Sequence, residues 1–540
     1  MTALLSVRNL SISFPSPHGP VRAVDEVSWD VNPGEILAIL GESGSGKSVS
    51  ASAVMNLIET PPAIIGGGQI LFEGRDLLQA DAETRRRING KSISMIFQDP
   101  LAALNPVYSI GRQISETMRV HGVDAATADT RVEELLERVG IPDPARRKHD
   151  YPHQFSGGQR QRIMIASAIA LQPKLLIADE PTSALDVTVQ ARVLDLLKEI
   201  QRASDMAIVM ITHDLAVVER VADRVVVMQQ GRIVERGAAR EVLADPQHPY
   251  TRKLVDAVPG RHGFAAAPQA APATPLLEVR NVSRVYGPLK RGFFGGDTAP
   301  VKAVDDATFT MVKGETLGVV GESGSGKSTL ARMILGLDEP TSGTIRFDGK
   351  PTQGLSAADE LALRRRVQFV FQDPTASLNP RMTVAQIISE PWAIHRNALP
   401  QARWRARVAE LLEQVGLRPD HADRHPHQFS GGQRQRIAIA RALALNPELI
   451  VCDEAVSALD VSIQAQVIDL LKDLRREYGL SYVFVAHDLA LIRDFATSVL
   501  VMYRGRIVEQ GPVETVFDTP RDDYTKALLA ASGGGIGQAA

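Results

Sequence analysis

One octapeptide, GESGSGKS, occurs twice in this chain, at Gly41–Ser48 and again at Gly321–Ser328. It belongs to a longer duplication. FQDPLAALNP at Phe97 returns as FQDPTASLNP at Phe371, and HQFSGGQRQRI at His153 returns at His427. ADEPTSALDV at Ala178 returns as CDEAVSALDV at Cys452, and ITHDLA at Ile211 returns as VAHDLA at Val485. These four pairs are each 274 positions apart. The octapeptides are 280 apart, so the first copy carries six extra residues before FQD. Rigid spacing over so long a stretch means two copies of one domain rather than scattered motifs. The segment VPGRHGFAAAPQAAPATP, Val258–Pro275, is rich in Ala, Pro and Gly and lacks apolar periodicity, so it reads as a linker. The expected organisation is a first domain at 1–257, a linker at 258–275 and a second domain at 276–540.

Each copy has the same coarse pattern. β-rich stretches come first (LLSVRNLSISF and AVDEVSWDV in the first copy), then the octapeptide, then a helical segment. Val132, Leu135, Leu136 and Val139 fall on one helix face, as do Val408, Leu411, Leu412 and Val415. The core resumes with the apolar runs KLLIADE and AIVMITHD. The pattern predicts an α/β core with a helical insertion in each copy. The second copy also carries GPLKRGFFGGDTAP between its first two strands, where Phe293 and Phe294 read as local loop packing. The arginine runs Arg85–Arg87 and Arg364–Arg366 read as solvated helix faces.

Composition bounds what such a chain can do. With 540 residues, 44% of them hydrophobic, it can bury at least two cores. A net charge of −3 gives no electrostatic reason for broad nucleic-acid binding. The single cysteine, Cys452, excludes a disulfide within the chain and a cysteine-built zinc or iron–sulfur site. The start, MTALLSVRNLSISF, lacks a signal-peptide layout, and no run approaches the ~20 apolar residues of a membrane helix. A membrane role is expected only through a partner.

The octapeptide matches the phosphate-binding loop G-x-x-x-x-G-K-[ST]. Gly41, Gly44 and Gly46, like Gly321, Gly324 and Gly326, let backbone N–H groups around Ser43 and Ser323 turn toward one anion. Lys47 or Lys327 reaches the terminal phosphates, and the hydroxyl of Ser48 or Ser328 suits Mg²⁺. LLIADE and LIVCDE are apolar runs ending in two acids. Asp179 or Asp453 is placed to hold Mg²⁺, and Glu180 or Glu454 to take a proton from an attacking water. In SGGQ, Ser156 and Gln159, like Ser430 and Gln433, have capping-box spacing. The intervening Gly157 and Gly158, or Gly431 and Gly432, strip the first helical turn of side chains, which leaves N–H groups open to an anion.

A phosphate loop, SGGQ, an acid pair, SALD and a following lone histidine, in that order and in both halves, resemble the ATP-binding-cassette family. The resemblance implies two P-loop NTPase domains in tandem, each an α/β core with an antiparallel β subdomain and a helical subdomain. It implies ATP and Mg²⁺ as ligands and head-to-tail pairing of the cassettes. One composite site would join Lys47, Ser48, Gln98, Asp179, Glu180 and His213 to Ser430, Gly431, Gly432 and Gln433. The other would join Lys327, Ser328, Gln372, Asp453, Glu454 and His487 to Ser156, Gly157, Gly158 and Gln159. Glu180 and Glu454 would be the general bases, with His213 and His487 at the γ-phosphate. Gln98 and Gln372 would sense Mg²⁺ and water, Asp186 and Asp460 would link the sites, and Phe14 and Tyr286 would stack on adenine. The signature starts with Phe155 and Phe429 where Leu is commoner, but no catalytic position is substituted, so both sites are expected to hydrolyse.

FQDPxxxLNP in both halves, DEAVSALDV, and PQHPYTRKLVDAV from Pro246 resemble the importers of peptides and nickel. That branch implies two transmembrane permease subunits, an extracytoplasmic substrate-binding protein, membrane contact only through the permeases and no nucleic acid. It implies a place on the cytoplasmic face of the inner membrane. The cysteine cluster that often follows the HPYT helix is missing, so no iron–sulfur cluster is expected. The competing class is a soluble tandem cassette working on ribosomes or DNA, which would share every ATP residue. The short Ala/Pro linker and the lone cysteine argue against it.

Overall fold

The structure, a computed structural model, describes residues 3–16, 19–183, 185–258, 275–287, 300–457 and 459–532. Most of the expected linker lies outside the described residues, as do Phe293 and Phe294. The chain divides into two compact units. One is built from residues up to Leu185 together with Val189–Ala257, the other from Asp186–Thr188 together with Val258 onward.

In the first unit a six-stranded sheet runs, edge to edge, Arg232–Ala238, Arg224–Gln229, Ile36–Leu40, Ala207–Thr212, Leu175–Asp179 and Ile93–Ile96. All neighbours are parallel except the antiparallel pair at the Arg232 edge. The apolar runs are explained by burial on both faces, as parallel sheets require. Leu37, Ile39, Leu175, Ile177, Val209 and Ile211 join one core cluster. Their neighbours Ile36, Leu176, Ala178, Ile208 and Met210 join another. The first cluster is shared with a four-stranded antiparallel sheet, ordered Val21–Val31, Leu5–Phe14, Ile64–Phe72, Arg75–Asp76. The second is shared with the helical segment. There Ile110, Ile114 and Met118 on helix Ile110–Val120, and Val132, Leu135 and Leu136 on helix Ala125–Arg138, are buried together with Val139.

The second unit repeats both sheets. Its antiparallel sheet is Val301–Val312, Pro275–Tyr286, Ser342–Phe347, Lys350–Pro351. Its six-stranded sheet runs Val367–Val370, Leu449–Asp453, Ser481–Val485, Thr316–Val320, Ser498–Tyr503, Arg506–Pro512. The helical segment again buries Val408, Leu411, Leu412 and Val415. Trp392, also buried there, donates from Nε1 to the Ala444 carbonyl at 2.8 Å.

The arginine runs meet the solvated-face expectation at Arg86, Arg87, Arg364 and Arg365, which are exposed, and depart from it at one residue of each run. Arg85 is buried and donates from Nη1 to the Val54 carbonyl at 2.7 Å. Arg366 is held between Glu448 and Asp348. Successive residues on a helix are rotated by about 100°, so three in a row cannot all face water when one side of the helix packs. Among the described residues no helix is long and apolar enough to cross a membrane.

Candidate functional site

The loop Gly41–Ser48 connects the central strand Ile36–Leu40 to helix Lys47–Val54. Its turn depends on Gly46, which caps the helix at φ 96°. A Cβ there would also lie 2.2 Å from the Ala23 carbonyl oxygen. Gly326 repeats this at φ 102°, with the Ala303 carbonyl oxygen at 2.2 Å. Lys47 is buried, and its Nζ donates to the carbonyls of Gly41 (2.6 Å) and Glu42 (2.8 Å). Lys327 does the same with Gly321 (2.8 Å) and Glu322 (2.9 Å). Burial pushes the Lys327 ammonium below the usual lysine range, against the pull of Glu454. Ser43 and Gly44, like Ser323 and Gly324, stand exposed at the loop tips.

The acids arrive on the strand two places along the sheet. Ser48 Oγ donates to Asp179 Oδ1 at 2.9 Å, and Ser328 Oγ to Asp453 Oδ1 at 3.1 Å. Each pair sets a hydroxyl and a carboxylate side by side at the start of the loop helix, two hard oxygen donors of the kind Mg²⁺ takes. Burial pushes both aspartates above the usual carboxylate range. The serine hydrogen bond opposes the rise and the adjacent glutamate adds to it.

Glu180 and Glu454 follow with left-handed backbones, φ 45° and 47°. A glutamate rarely adopts that conformation, and such strain collects at functional positions. Gln98 Nε2 donates to Glu180 at 2.8 Å and Gln372 Nε2 to Glu454 at 2.7 Å. His213 Nδ1 lies 3.0 Å from the other oxygen of Glu180. His487 Nδ1 is 4.0 Å from Glu454, beyond hydrogen-bond reach. Burial alone would raise the Glu180 carboxyl. His213, by hydrogen bond and charge, with Lys47 and Gln98, instead holds it below its usual range, so it is ionised at neutral pH.

Within each unit, then, the loop lysine, serine, aspartate, glutamate, glutamine and histidine converge. The SGGQ residues form a separate feature. Ser156 caps helix Gly157–Ala168, accepting from the Gln159 N–H at 3.3 Å, while the Gln159 side chain accepts from the Ser156 N–H at 3.1 Å. Ser430 and Gln433 repeat the box on helix Gly431–Leu443. The preceding Phe155 and Phe429 are buried anchors. Asp186 immediately precedes helix Val187–Ser204, and Asp460 stands at the N-terminal boundary of helix Val461–Tyr478.

The two aromatics differ. Phe14 ends its strand opposite Val21, partly buried and packed on the core. Tyr286 is exposed, donates to Asp338 at 2.9 Å, and has the Arg284 guanidinium 4.7 Å from its ring centre. Sequence reasoning also passed over Tyr250 and Tyr524, whose hydroxyls touch the two loops. Their shared 274-residue offset was the available signal.

A family model for the ABC transporter matches residues 24–183 and 304–457, more than half of the chain. The chain belongs to the ABC transporter family. A model of the oligopeptide/dipeptide transporter C-terminal region also matches twice, at 234–277 and 508–532. As an ABC protein the chain is an ATPase whose hydrolysis is coupled to transport. It is 48% identical over 530 residues to the peptidoglycan transport ATP-binding protein YejF of Agrobacterium fabrum, covering 98% of this chain and 96% of that one. It is 46% identical over 558 residues to the glutathione import ATP-binding protein GsiA of Escherichia coli, covering 98% and 89%. A solved dimeric cassette, MJ0796 with ADP and phosphate, aligns with 44% of this chain and 98% of its own at 33% identity and a TM-score of 0.39.

Proposed function

We propose that this chain is the energy-coupling subunit of an ABC importer for peptide-like solutes, with both ATPases of the transporter fused in one polypeptide. The observation that carries the reading is the oligopeptide/dipeptide transporter C-terminal region, present after each of the two cassettes. Full-length relatives named for peptidoglycan transport and glutathione import support it. The partners are two transmembrane permeases and an extracytoplasmic substrate-binding protein, with the chain at the cytoplasmic face of the inner membrane.

In this reading each ATP is held by the loop and acids of one cassette and by SGGQ of the other, so that two composite sites close together. Lys47 and Lys327 neutralise the phosphates, and the SGGQ helix N-termini add N–H groups. Mg²⁺, held by Ser48 and Asp179 or by Ser328 and Asp453, would offset phosphate charge. Glu180 and Glu454 accept the proton of the attacking water. Their bonds to Gln98 and Gln372 tie each base to the segment that faces the permeases, and His213 and His487 sit beside the bases to meet the γ-phosphate. Asp186 and Asp460 link the two sites, and Phe14 and Tyr286 face adenine.

The test is a mild-detergent pull-down of the tagged chain from its native membranes. Two multi-spanning permeases are expected, and the binding protein encoded beside them narrows the solute. Recovery of ribosomes or DNA-repair proteins without any membrane protein would overturn the importer reading and leave the ATPase standing.

A further inference from the structure

The C-terminal region of each unit reaches back to its own phosphate loop. Tyr250, on helix Pro249–Asp256, is buried, and its hydroxyl accepts a hydrogen bond from the Glu42 N–H at 3.1 Å. Tyr524, on helix Asp523–Ala531, accepts from the Glu322 N–H at 2.9 Å. The peptide unit involved matters. Gly41 C=O and Glu42 N–H belong to one planar group. Its oxygen accepts from Lys47 Nζ at 2.6 Å, while its N–H is held by Tyr250. In the second unit the Gly321–Glu322 peptide is gripped in the same way between Lys327 and Tyr524. A planar group bonded at both ends cannot rotate without breaking one bond, so the tyrosine fixes the carbonyl that steadies the lysine.

The tyrosines are themselves anchored. Glu235 accepts from the N–H groups of Gln247 (2.8 Å) and His248 (3.0 Å), and His248 caps the Tyr250 N–H at 3.2 Å. Glu509 accepts from Arg521 (2.9 Å) and Asp522 (3.1 Å), and Asp522 caps the Tyr524 N–H at 2.8 Å. Tyr503 stacks on Tyr524 with ring centres 4.2 Å apart. Burial pushes the Tyr524 phenol up to about 12, so its hydroxyl stays neutral at physiological pH.

We infer that Tyr250 and Tyr524 are positioning residues for ATP, orienting the phosphate-loop peptide on which Lys47 or Lys327 rests. This gives the oligopeptide/dipeptide transporter C-terminal region, which contains both tyrosines, a task inside the ATP site. The inference rests on the family's ATPase activity and not on the importer reading, so purified full-length chain suffices to test it.

The variant is Tyr250→Phe with Tyr524→Phe, which keeps the rings and removes the hydroxyls. Steady-state ATPase is measured with inorganic pyrophosphate and adenosine as competing inhibitors, alongside thermal denaturation. The expected result is a KM for ATP and a Ki for pyrophosphate both raised by about three- to tenfold, as for loss of one neutral hydrogen bond. The Ki for adenosine is expected to stay within twofold of the parent. A KM unchanged within twofold overturns the inference. Equal rises in the pyrophosphate and adenosine constants, with a lowered melting temperature, also overturn it, because they mark general damage. The Tyr250→Leu, Tyr524→Leu variant removes ring and hydroxyl together. It is expected to lower the melting temperature, which separates packing from positioning.

Discussion

Two neighbouring glycines in SGGQ have different surroundings, and substituting them separates folding from phosphate contact. A Cβ on Gly157 meets nothing within 4 Å, and one on Gly431 meets only Leu459 Cδ2 at 3.6 Å. A Cβ on Gly158 would lie 2.5 Å from Val189 Cγ1, and one on Gly432 would lie 2.3 Å from Ile463 Cγ2. Alanine at the first pair therefore gains helix propensity, up to about 1 kcal/mol per helix. Alanine at the second pair overpacks against the long helix, at about 1–3 kcal/mol. For units of this size 1 kcal/mol moves Tm by about 2–4 °C. Gly157→Ala with Gly431→Ala is expected to leave Tm unchanged or raise it by a few degrees at most. Gly158→Ala with Gly432→Ala should lower it by about 2–12 °C on the same scale, partly recovered by adding Val189→Ala and Ile463→Ala. ATPase decides the functional half. A methyl on the exposed turn displaces a charge-assisted hydrogen bond worth about 1.5–3 kcal/mol, so the folded Gly157/Gly431 variant should lose about tenfold or more in rate. Full activity there would refute the turn as a phosphate surface. Equal Tm shifts for the two pairs would refute the packing argument.

Replacing Glu180 and Glu454 together with glutamine should cut kcat by about 100-fold or more while ATP still binds. A rate near wild type would remove them as general bases. Glu235 and Glu509 give a pH signature. Burial would raise both carboxyls, but the Thr251 or Thr525 hydroxyl nearby and the N–H groups they bind hold them below the usual range. Their stabilisation is thus present above the unfolded value near 4.3 and fades as pH falls through the folded value. The Tm gap between the parent and Glu235→Gln, Glu509→Gln should be full at pH 7 and shrink as pH falls below the unfolded value. Cys452 is fully buried on strand Leu449–Asp453. An aromatic disulfide reagent should leave the native chain unlabelled, and unfolding should release one thiol per chain. Rapid labelling of active protein would contradict that core.

The parts legible in the sequence were those written in local spacing. The capping boxes at Ser156 and Ser430 span only four residues, and the helix faces that start at Val132 and Val408 span eight. The continuous apolar runs were equally readable, because alternate residues feed two different cores. What escaped depends on contacts between distant segments. Arg85 turns inward because the Val54 carbonyl ends the loop helix beneath it, which its arginine neighbours do not reveal. The pairing of Gln98 with Glu180 spans 82 residues and that of Tyr250 with Glu42 spans 208. Neither leaves a local pattern. The partner that holds each singled-out residue in place had to come from the fold.

Where the two copies diverge, they diverge as a set. In the second unit Arg284 lies over the Tyr286 ring, Tyr286 donates to Asp338, and Arg332 donates from Nε to the same carboxylate at 2.9 Å. At the matching places of the first copy stand Ile12, Phe14, Ile58 and Ser52. Ile12 is fully buried, and Phe14 and Ile58 pack on the same core. A hydroxyl has gone together with the carboxylate that accepts from it, and both guanidinium partners with them. Removing its partners alone would leave the largely covered Asp338 carboxylate unpaired, which costs more than exchanging the whole cluster for three apolar side chains and a serine. The residues proposed to surround the reacting phosphate show no such exchange: lysine, serine, glutamine, aspartate, glutamate and histidine are identical in the two copies. Asymmetry between the two halves is therefore built at the strand end that carries Phe14 and Tyr286, where base contacts are proposed, and the hydrolytic groups are kept the same.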